Sequence, residues 1–366
     1  MPVLPARADH VGSLLRPARL AELRQRWRDG EVADEDLRTV EDECISDVVG
    51  HQERIGLRAV TDGELRRDWW HLDFLDGFDG IALAERERPA SFQGQGASPP
   101  MPVVTGPIRH TTPIFVDSLR YLVAETYAVA KLTIPGPGVA HLLGGRSAVD
   151  ETVYPDIDDF WNDLVDAYRA EIDQLYAAGC RYLQIDDVSF AYLCDTDFRA
   201  RMVERGDDPD DLVVRYRDAI NGVIAGRPDD LLVTTHMCRG NFRSRWVASG
   251  GYEPIAEAVF GGVDVDAFFL EFDSDRAGGF EPLRWIPEGR VAVLGLITTK
   301  TPELEDDEEI AGRISVASQV LPLEQLALSP QCGFSSTHHG NEITAQDQWR
   351  KLELAVRVAD RVWGEA

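Results

Sequence analysis

Residues Leu231–Gly240 read LLVTTHMCRG. An apolar run, Leu231 to Val233, passes through two threonines into His236-Met237-Cys238. On an extended segment alternate side chains share a face, so His236 and Cys238 project to the same side. The apolar half belongs in a core and the polar half emerges from it. The stretch is therefore a buried strand that ends at a site, and imidazole plus thiolate is a zinc-type ligand pair.

Outward from this stretch the same pattern recurs: apolar strand, polar strand end, helix. Strands are expected near residues 10, 60, 132, 184, 234, 270, 294 and 328. Helices are expected over roughly 18–28, 34–56, 155–178, 208–226, 252–260 and 344–363, with another starting in the acidic turn Pro302–Glu309 behind Thr301 as N-cap. Near-continuous apolar strands alternating with helices mean a parallel sheet buried on both faces. Eight such units predict an α/β (β/α)8 TIM barrel forming one domain over residues 1–366. An open doubly wound sheet is disfavoured because no Gly-rich dinucleotide fingerprint follows the first strand. Residues 76–125 break the rhythm with Gly, Pro and Ser. They predict an excursion between strands 2 and 3, with a hairpin around Met101–Arg109 and a helix from about 113 to 126.

Composition bounds the function. The net charge of −27 argues against nucleic acid and anionic membranes as partners. No apolar run approaches the ~18–20 residues of a membrane span, and MPVLPARADH lacks a signal peptide's apolar stretch, so a cytoplasmic location is expected. Five widely spaced cysteines do not form a disulfide framework. Cys44, Cys180 and Cys194 read as packed thiols, whereas Cys238 and Cys332 stand at strand ends.

In a barrel the strand ends meet at one face. His236, Cys238, Glu271 and Cys332 would then supply one nitrogen, two thiolates and one carboxylate, a ligand set for Zn2+. Glu271 paired to a rim arginine and Cys332 as a packed thiol remain the plain alternatives. Zinc with two thiolates is a modest Lewis acid, suited to holding a substrate thiol as thiolate near neutral pH. That chemistry is S-alkylation.

The segments HVGSLLRP (10–17), TDGE (61–64), LQIDD (183–187), THMCRGNF (235–242), FFLEFD (268–273) and LSPQCGF (328–334) together resemble the catalytic barrel of cobalamin-independent methionine synthase. The closer similarity is to its shorter, single-barrel relatives. The resemblance implies zinc on His236, Cys238, Glu271 and Cys332. It implies Gly12, Ser13, Glu64 and Asp186 around the amino-acid part of a homocysteine-like thiol, and 5-methyltetrahydrofolate or another methyl donor. The superfamily also contains epoxyalkane:coenzyme M transferase, so an alkyltransferase acting on another small thiol is the alternative, with a non-catalytic zinc- or thiol-binding protein as a third reading. The full-length enzyme's N-terminal barrel is missing, which leaves the methyl donor open. The oligomeric state is open too.

Further residues have two readings each. Glu64 contacts a substrate ammonium or caps a turn. Asp186 and Asp187 point opposite ways on a strand, and Asp186 is taken as the one facing the mouth. Arg16, Arg66, Arg67, Arg239 and Arg243 follow strand ends. They bind a substrate anion, Arg239 foremost, or pair with local acids. Trp69, Trp70 and His71 stack on a flat donor or pack the excursion. His338-His339 includes a candidate proton donor, His339, or is a polar loop.

Overall fold

The computed structural model describes residues 4–85, 90–92, 95–97 and 100–364. Seven strands form one all-parallel sheet in chain order: β1 (Ala59–Val60), β2 (Val129–Pro135), β3 (Tyr182–Asp187), β4 (Leu232–Met237), β5 (Ala267–Glu271), β6 (Val291–Ile297) and β7 (Leu326–Pro330). β3, β4, β5 and β7 are buried at every residue, which is why each opens on an apolar stretch and turns polar only toward its C-terminal end.

The strand expected near residue 10 is reduced to a single bridge, Ala8 with Leu328. Asp9 N donates to Leu328 O at 3.0 Å and Leu328 N to Arg7 O at 2.8 Å. The ladder stops there because the Asp9 carboxylate turns back onto His10 N, 2.6 Å away. On the other flank Thr61 Oγ1 donates to Gly12 O at 2.6 Å and Leu14 N to Gly63 O at 3.0 Å. The N-terminal segment thus fills the gap between β7 and β1 and rounds the sheet into a barrel.

Eight helices surround it: α1 (Ala18–Arg28), α2 (Asp34–Arg54), α3 (Val116–Glu125), α4 (Ile157–Ala177), α5 (Pro209–Ile224), α6 (Glu253–Phe260), α7 (Asp307–Ala317) and α8 (Ala345–Trp363). Four start on a side-chain cap: Asp156, Asp208, Asp306 and Thr344. The helix expected to open at Pro302 instead starts at Asp307 on Asp306. Glu305 is drawn away by Thr298 N (2.6 Å) and Lys351 Nζ (3.0 Å), and Thr301 caps nothing. A further helix, Thr196–Glu204, was not legible in the sequence.

The expected excursion contains antiparallel strands Asp79–Ala84 and Met101–Arg109 and a tip hairpin, Ala90–Phe92 with Gln95–Ala97. It is pinned to α4 by Glu171, a fully buried carboxylate 2.7 Å from His110 Nε2 that also accepts from Phe115 N at 2.9 Å.

Inside the barrel an apolar layer of Leu4, Val11, Tyr182, Leu232, Phe269 and Val293 surrounds one charged pair. Lys131 Nζ lies 3.1 Å from Asp9 Oδ1 and 2.6 Å from His10 O, over the Tyr182 and Phe269 rings. Tyr182 Oη donates to the other Asp9 oxygen at 2.6 Å. Asp9 thus ties the irregular N-terminal segment to β2 and β3. Asp9→Ala strands a buried ammonium and is expected to cost about 3–5 kcal/mol in urea unfolding, with Asp9→Ala/Lys131→Met recovering most of it. Equal stability of Asp9→Ala and wild type would refute this role.

Candidate metal and substrate site

Three strands deliver the four expected ligands to the C-terminal face. β4 ends in His236 and runs on to Cys238, β5 ends in Glu271, and Cys332 follows β7 by two residues. Parallel register sets Asp186 of β3 directly beside His236 of β4. His236, Cys238, Glu271 and Cys332 are all buried, and one ligand atom from each lies within 4.8 Å of all the others. The two sulfurs are 3.5 Å apart as free thiols. Neither ring nitrogen of His236 makes a hydrogen bond, although both are buried. A buried imidazole with two idle nitrogens is costly unless something binds it. The N, S, S, O donor set and its closeness fit zinc.

The charges agree. Their mutual hydrogen bond holds the Cys332 thiol well below the usual range and, with burial, pushes Cys238 well above it. Burial works against ionised Glu271, but Lys300, Arg276 and His236 outweigh it and keep this carboxyl below its ordinary value. Both its oxygens are fixed: Oε1 by Arg239 N at 2.9 Å and Oε2 by Arg276 at 2.8 Å. Tyr252 Oη accepts from Glu271 N at 3.0 Å. Asn241 Nδ2 reaches Cys332 Sγ at 3.7 Å and Gly333 O at 3.0 Å. A Cβ at Gly333 would lie 1.9 Å from Ser13 Oγ, so a larger residue there forces the Ser13 hydroxyl to move.

The cluster opens into a cavity of about 750 Å³ that also exposes Ser13, Glu64 and Asp186. Glu64 sits at φ +57°, a left-handed conformation that is uncommon away from glycine and that turns its side chain inward. Thr133 Oγ1 donates to its Oε1 at 2.9 Å, and its Oε2 has no hydrogen-bond partner. The backbone is held by Arg16, whose guanidinium donates to Glu64 O (3.0 Å), Arg67 O (2.8 Å) and Ser335 O (2.6 Å). Burial raises Glu64, against the pull of Arg67 and Arg16. Burial also raises Asp186 to about 7, with His236 opposing and Glu64 adding to the effect; Gln184 Nε2 donates to it at 2.7 Å. Asp187 points the other way, its Oδ1 accepting from Phe190 N.

The rest of the cavity wall is mixed, with Leu142, Tyr192, Phe198 and Met202 beside the charged Asp195, Asp197, Arg201 and Arg205. Trp69, Trp70, His71 and Trp246 line it too. Nothing in the sequence signals that Thr196–Glu204 supplies part of this wall. Several expected site residues lie elsewhere. Gly12 is not on the cavity wall but stands behind it, at φ +139° against Thr133. Arg239 is fully buried, stacked 4.5 Å from the Tyr252 ring centroid and off the cavity wall. It serves the site through its backbone N–H. Arg66 pairs with Asp42, and Arg67 with Thr133. Arg243 is exposed and off the wall. His339 is exposed, edge-on to Trp69 and Phe242 and off the wall. Arg276, Thr133 and Lys300 escaped the sequence reading. Their only signal was position just past, or on the inner face of, a strand already known to end at the site.

The family model for the cobalamin-independent synthase catalytic domain matches residues 7–360. The chain belongs to this family. Among its relatives, the uncharacterized protein YxjH of Bacillus subtilis is 43% identical over 362 residues, covering 98% of this chain and 95% of the relative. A putative vitamin-B12 independent methionine synthase from Listeria monocytogenes superposes with TM-score 0.80 at 38% identity over the whole of both chains. A B12-independent methionine synthase from Shewanella sp. W3-18-1, solved in complex with selenomethionine, shares the fold: TM-score 0.74 at 19% identity, covering 99% of this chain and 98% of that one. The 5-methyltetrahydropteroyltriglutamate–homocysteine methyltransferase of Bacillus velezensis is 23% identical over 349 residues; the match covers 94% of this chain and 42% of that enzyme. The chain is thus a methyltransferase-family catalytic barrel. Among the described residues no helix is long and apolar enough to cross a membrane.

Asp186 gives a pH prediction. Its folded pKa of about 7 lies above its ordinary 3.8, so the folded state holds the extra proton between those values and stability falls as pH rises through that window. Asp186→Asn removes the penalty. The metal-free variant is expected to be more stable than wild type at pH 8 by on the order of 1–2 kcal/mol, and close to it at pH 4. A pH-independent difference in thermal unfolding would contradict the assignment.

Proposed function

We propose that the chain is a zinc-dependent thiol methyltransferase that methylates a homocysteine-like thiol, with 5-methyltetrahydrofolate or another small methyl donor. The observation that carries this reading is the buried His236, Cys238, Glu271 and Cys332 cluster, three of whose members, His236, Cys238 and Cys332, line the same cavity as Glu64 and Asp186. His236, Cys238, Glu271 and Cys332 would hold the zinc. Bound there, zinc supplies positive charge that keeps a substrate thiol ionised near neutral pH, where a free thiol of pKa ~8.5 is mostly protonated.

The remaining work falls to side chains. Glu64 Oε2, buried and without a partner, is an acceptor for the substrate ammonium, and Asp186 faces the same space. A cation arriving there lowers both raised pKa values and is bound by the carboxylates it ionises. In this reading the acceptor's sulfur lies toward the cysteines and its amine toward Glu64 and Asp186. The thiolate sulfur bonds to the donor's methyl carbon as the carbon–donor bond breaks. Asp186, titrating near neutrality, is the cavity-lining group able to hold or return a proton during turnover. His339, exposed and off the cavity wall, is not assigned that part. The aromatic and apolar part of the wall, Trp69, Trp70, Leu142, Phe198 and Met202, accommodates a donor with a flat or apolar body.

The alternative of an anionic, amine-free thiol required Arg239 or Arg243 in the mouth. Neither lines the cavity; Arg201 and Arg205 do, but both are exposed, whereas the buried acids on its wall are Glu64 and Asp186, which favours an amine-bearing thiol.

Purified protein is expected to carry about one zinc per chain by metal analysis, and Cys238→Ser and Cys332→Ser to lose it together with homocysteine methylation. Glu64→Gln is expected to keep its zinc but raise KM for homocysteine at least about tenfold, the worth of one charged hydrogen bond. A metal-free wild type inert toward homocysteine with every donor would overturn the proposal.

A further inference from the structure

Glu271 is held from two sides by one loop. The segment after β4, residues 239–248, folds back on itself, with Val247 N and Ala248 N donating to Arg239 O at 3.0 and 3.1 Å. Arg239 N meets Glu271 Oε1. The same loop carries Trp246, which lines the cavity, and the Arg276 guanidinium lies 4.6 Å from its ring centroid. Arg276 leaves the turn just past β5 and reaches back. One terminal nitrogen donates to Glu271 Oε2 at 2.8 Å and to Asp273 Oδ1 at 2.9 Å. Its side chain is 9% exposed, and Glu271 is fully buried. Its carbonyl accepts from Gly250 N at 2.9 Å, so its backbone is tied to the end of the same loop.

This arrangement exceeds what neutralising a carboxylate requires. Lys300 also acts on Glu271, but it is an ammonium whose buried Nζ makes no hydrogen bond and so fixes no orientation. A planar guanidinium that bridges two carboxylates and lies against an indole does fix one, because guanidinium geometry is rigid where ammonium geometry is not.

We propose that Arg276 is the positioning residue for the Glu271 ligand, and that Trp246 is the cavity-side plate that keeps Arg276 in place. The inference rests on the metal reading above and adds two residues to it. Outer partners of metal ligands typically change metal affinity 10–100-fold when removed.

The test uses the full chain, zinc affinity by competition with a chromophoric chelator, and the ligand-field spectrum of the cobalt(II)-substituted protein. Arg276→Met is expected to bind zinc about 10–100-fold more weakly and to shift the cobalt bands, with a normal thermal transition for the metal-free protein. Arg276→Lys, which keeps the charge but loses the plane, is expected to fall between Met and wild type. Trp246→Ala weakens zinc less than Arg276→Met, and Trp246→Phe restores it. Arg276→Met/Trp246→Ala is no weaker than Arg276→Met alone, because the tryptophan acts through the arginine. If Arg276→Met fails to fold, Arg276→Lys and the two Trp246 variants decide the matter. Wild-type affinity and an unchanged cobalt spectrum in the Arg276 variants, or fully additive effects, would overturn the inference while leaving the metal centre standing. A wild type that takes up no zinc would overturn the metal centre itself.

Discussion

Four ligand groups from three strands are buried and packed within a few ångströms of one another, and two of them are thiols with their sulfurs 3.5 Å apart. Everything else at this end of the barrel is arranged around that constraint. Parallel register brings the strand ends level, so that His236 stands beside Asp186 and Cys238 can face Cys332 across the mouth. Gly333 lets the β7 loop approach Ser13. Arg16 ties that loop to the one carrying Glu64 by donating to carbonyls on both. An idle imidazole and a coupled thiol pair are poor devices for stability. Their burial together makes sense as preparation for a cation.

The same geometry divides the cavity. Near the cluster it offers carboxylates raised toward neutrality, which answer to a cationic group on the acceptor. The rest of the wall offers leucine, methionine and aromatic surface beside Asp195, Asp197, Arg201 and Arg205. On the proposed reading the acceptor and the donor meet at the sulfur ligands. In methyl transfer this proximity removes much of the entropic barrier.

Most of this was legible in the sequence because parallel strands bury both faces. An unbroken apolar run marks the strand, and the first polar residues after it mark the mouth, so His236, Cys238, Glu271, Cys332, Asp186 and Glu64 could be read as strand ends. Side-chain direction past the strand was not legible. Arg239 looked like a substrate cation, but its guanidinium turned onto Tyr252 and only its amide serves the site. His339 looked like an acid but stands exposed and off the cavity wall, edge-on to Trp69 and Phe242. The strand near residue 10 shrank to one bridge because a side chain, Asp9, competed for the backbone. The helix start at Pro302 failed for a similar reason, since Glu305 is used by Thr298 and Lys351. In each case a tertiary partner outbid a local pattern that was itself reasonable. Helix Thr196–Glu204, short and with one buried residue, Met202, had too weak a stripe to be seen.

The central claim is that a metal ion on these four residues takes a substrate thiol. Zinc-edge X-ray absorption of the purified protein measures this directly by counting sulfur neighbours at about 2.3 Å. Two sulfurs are predicted for the protein alone, and three once homocysteine is added. A count that stays at two with saturating homocysteine, or zinc without any sulfur neighbour, would contradict the account.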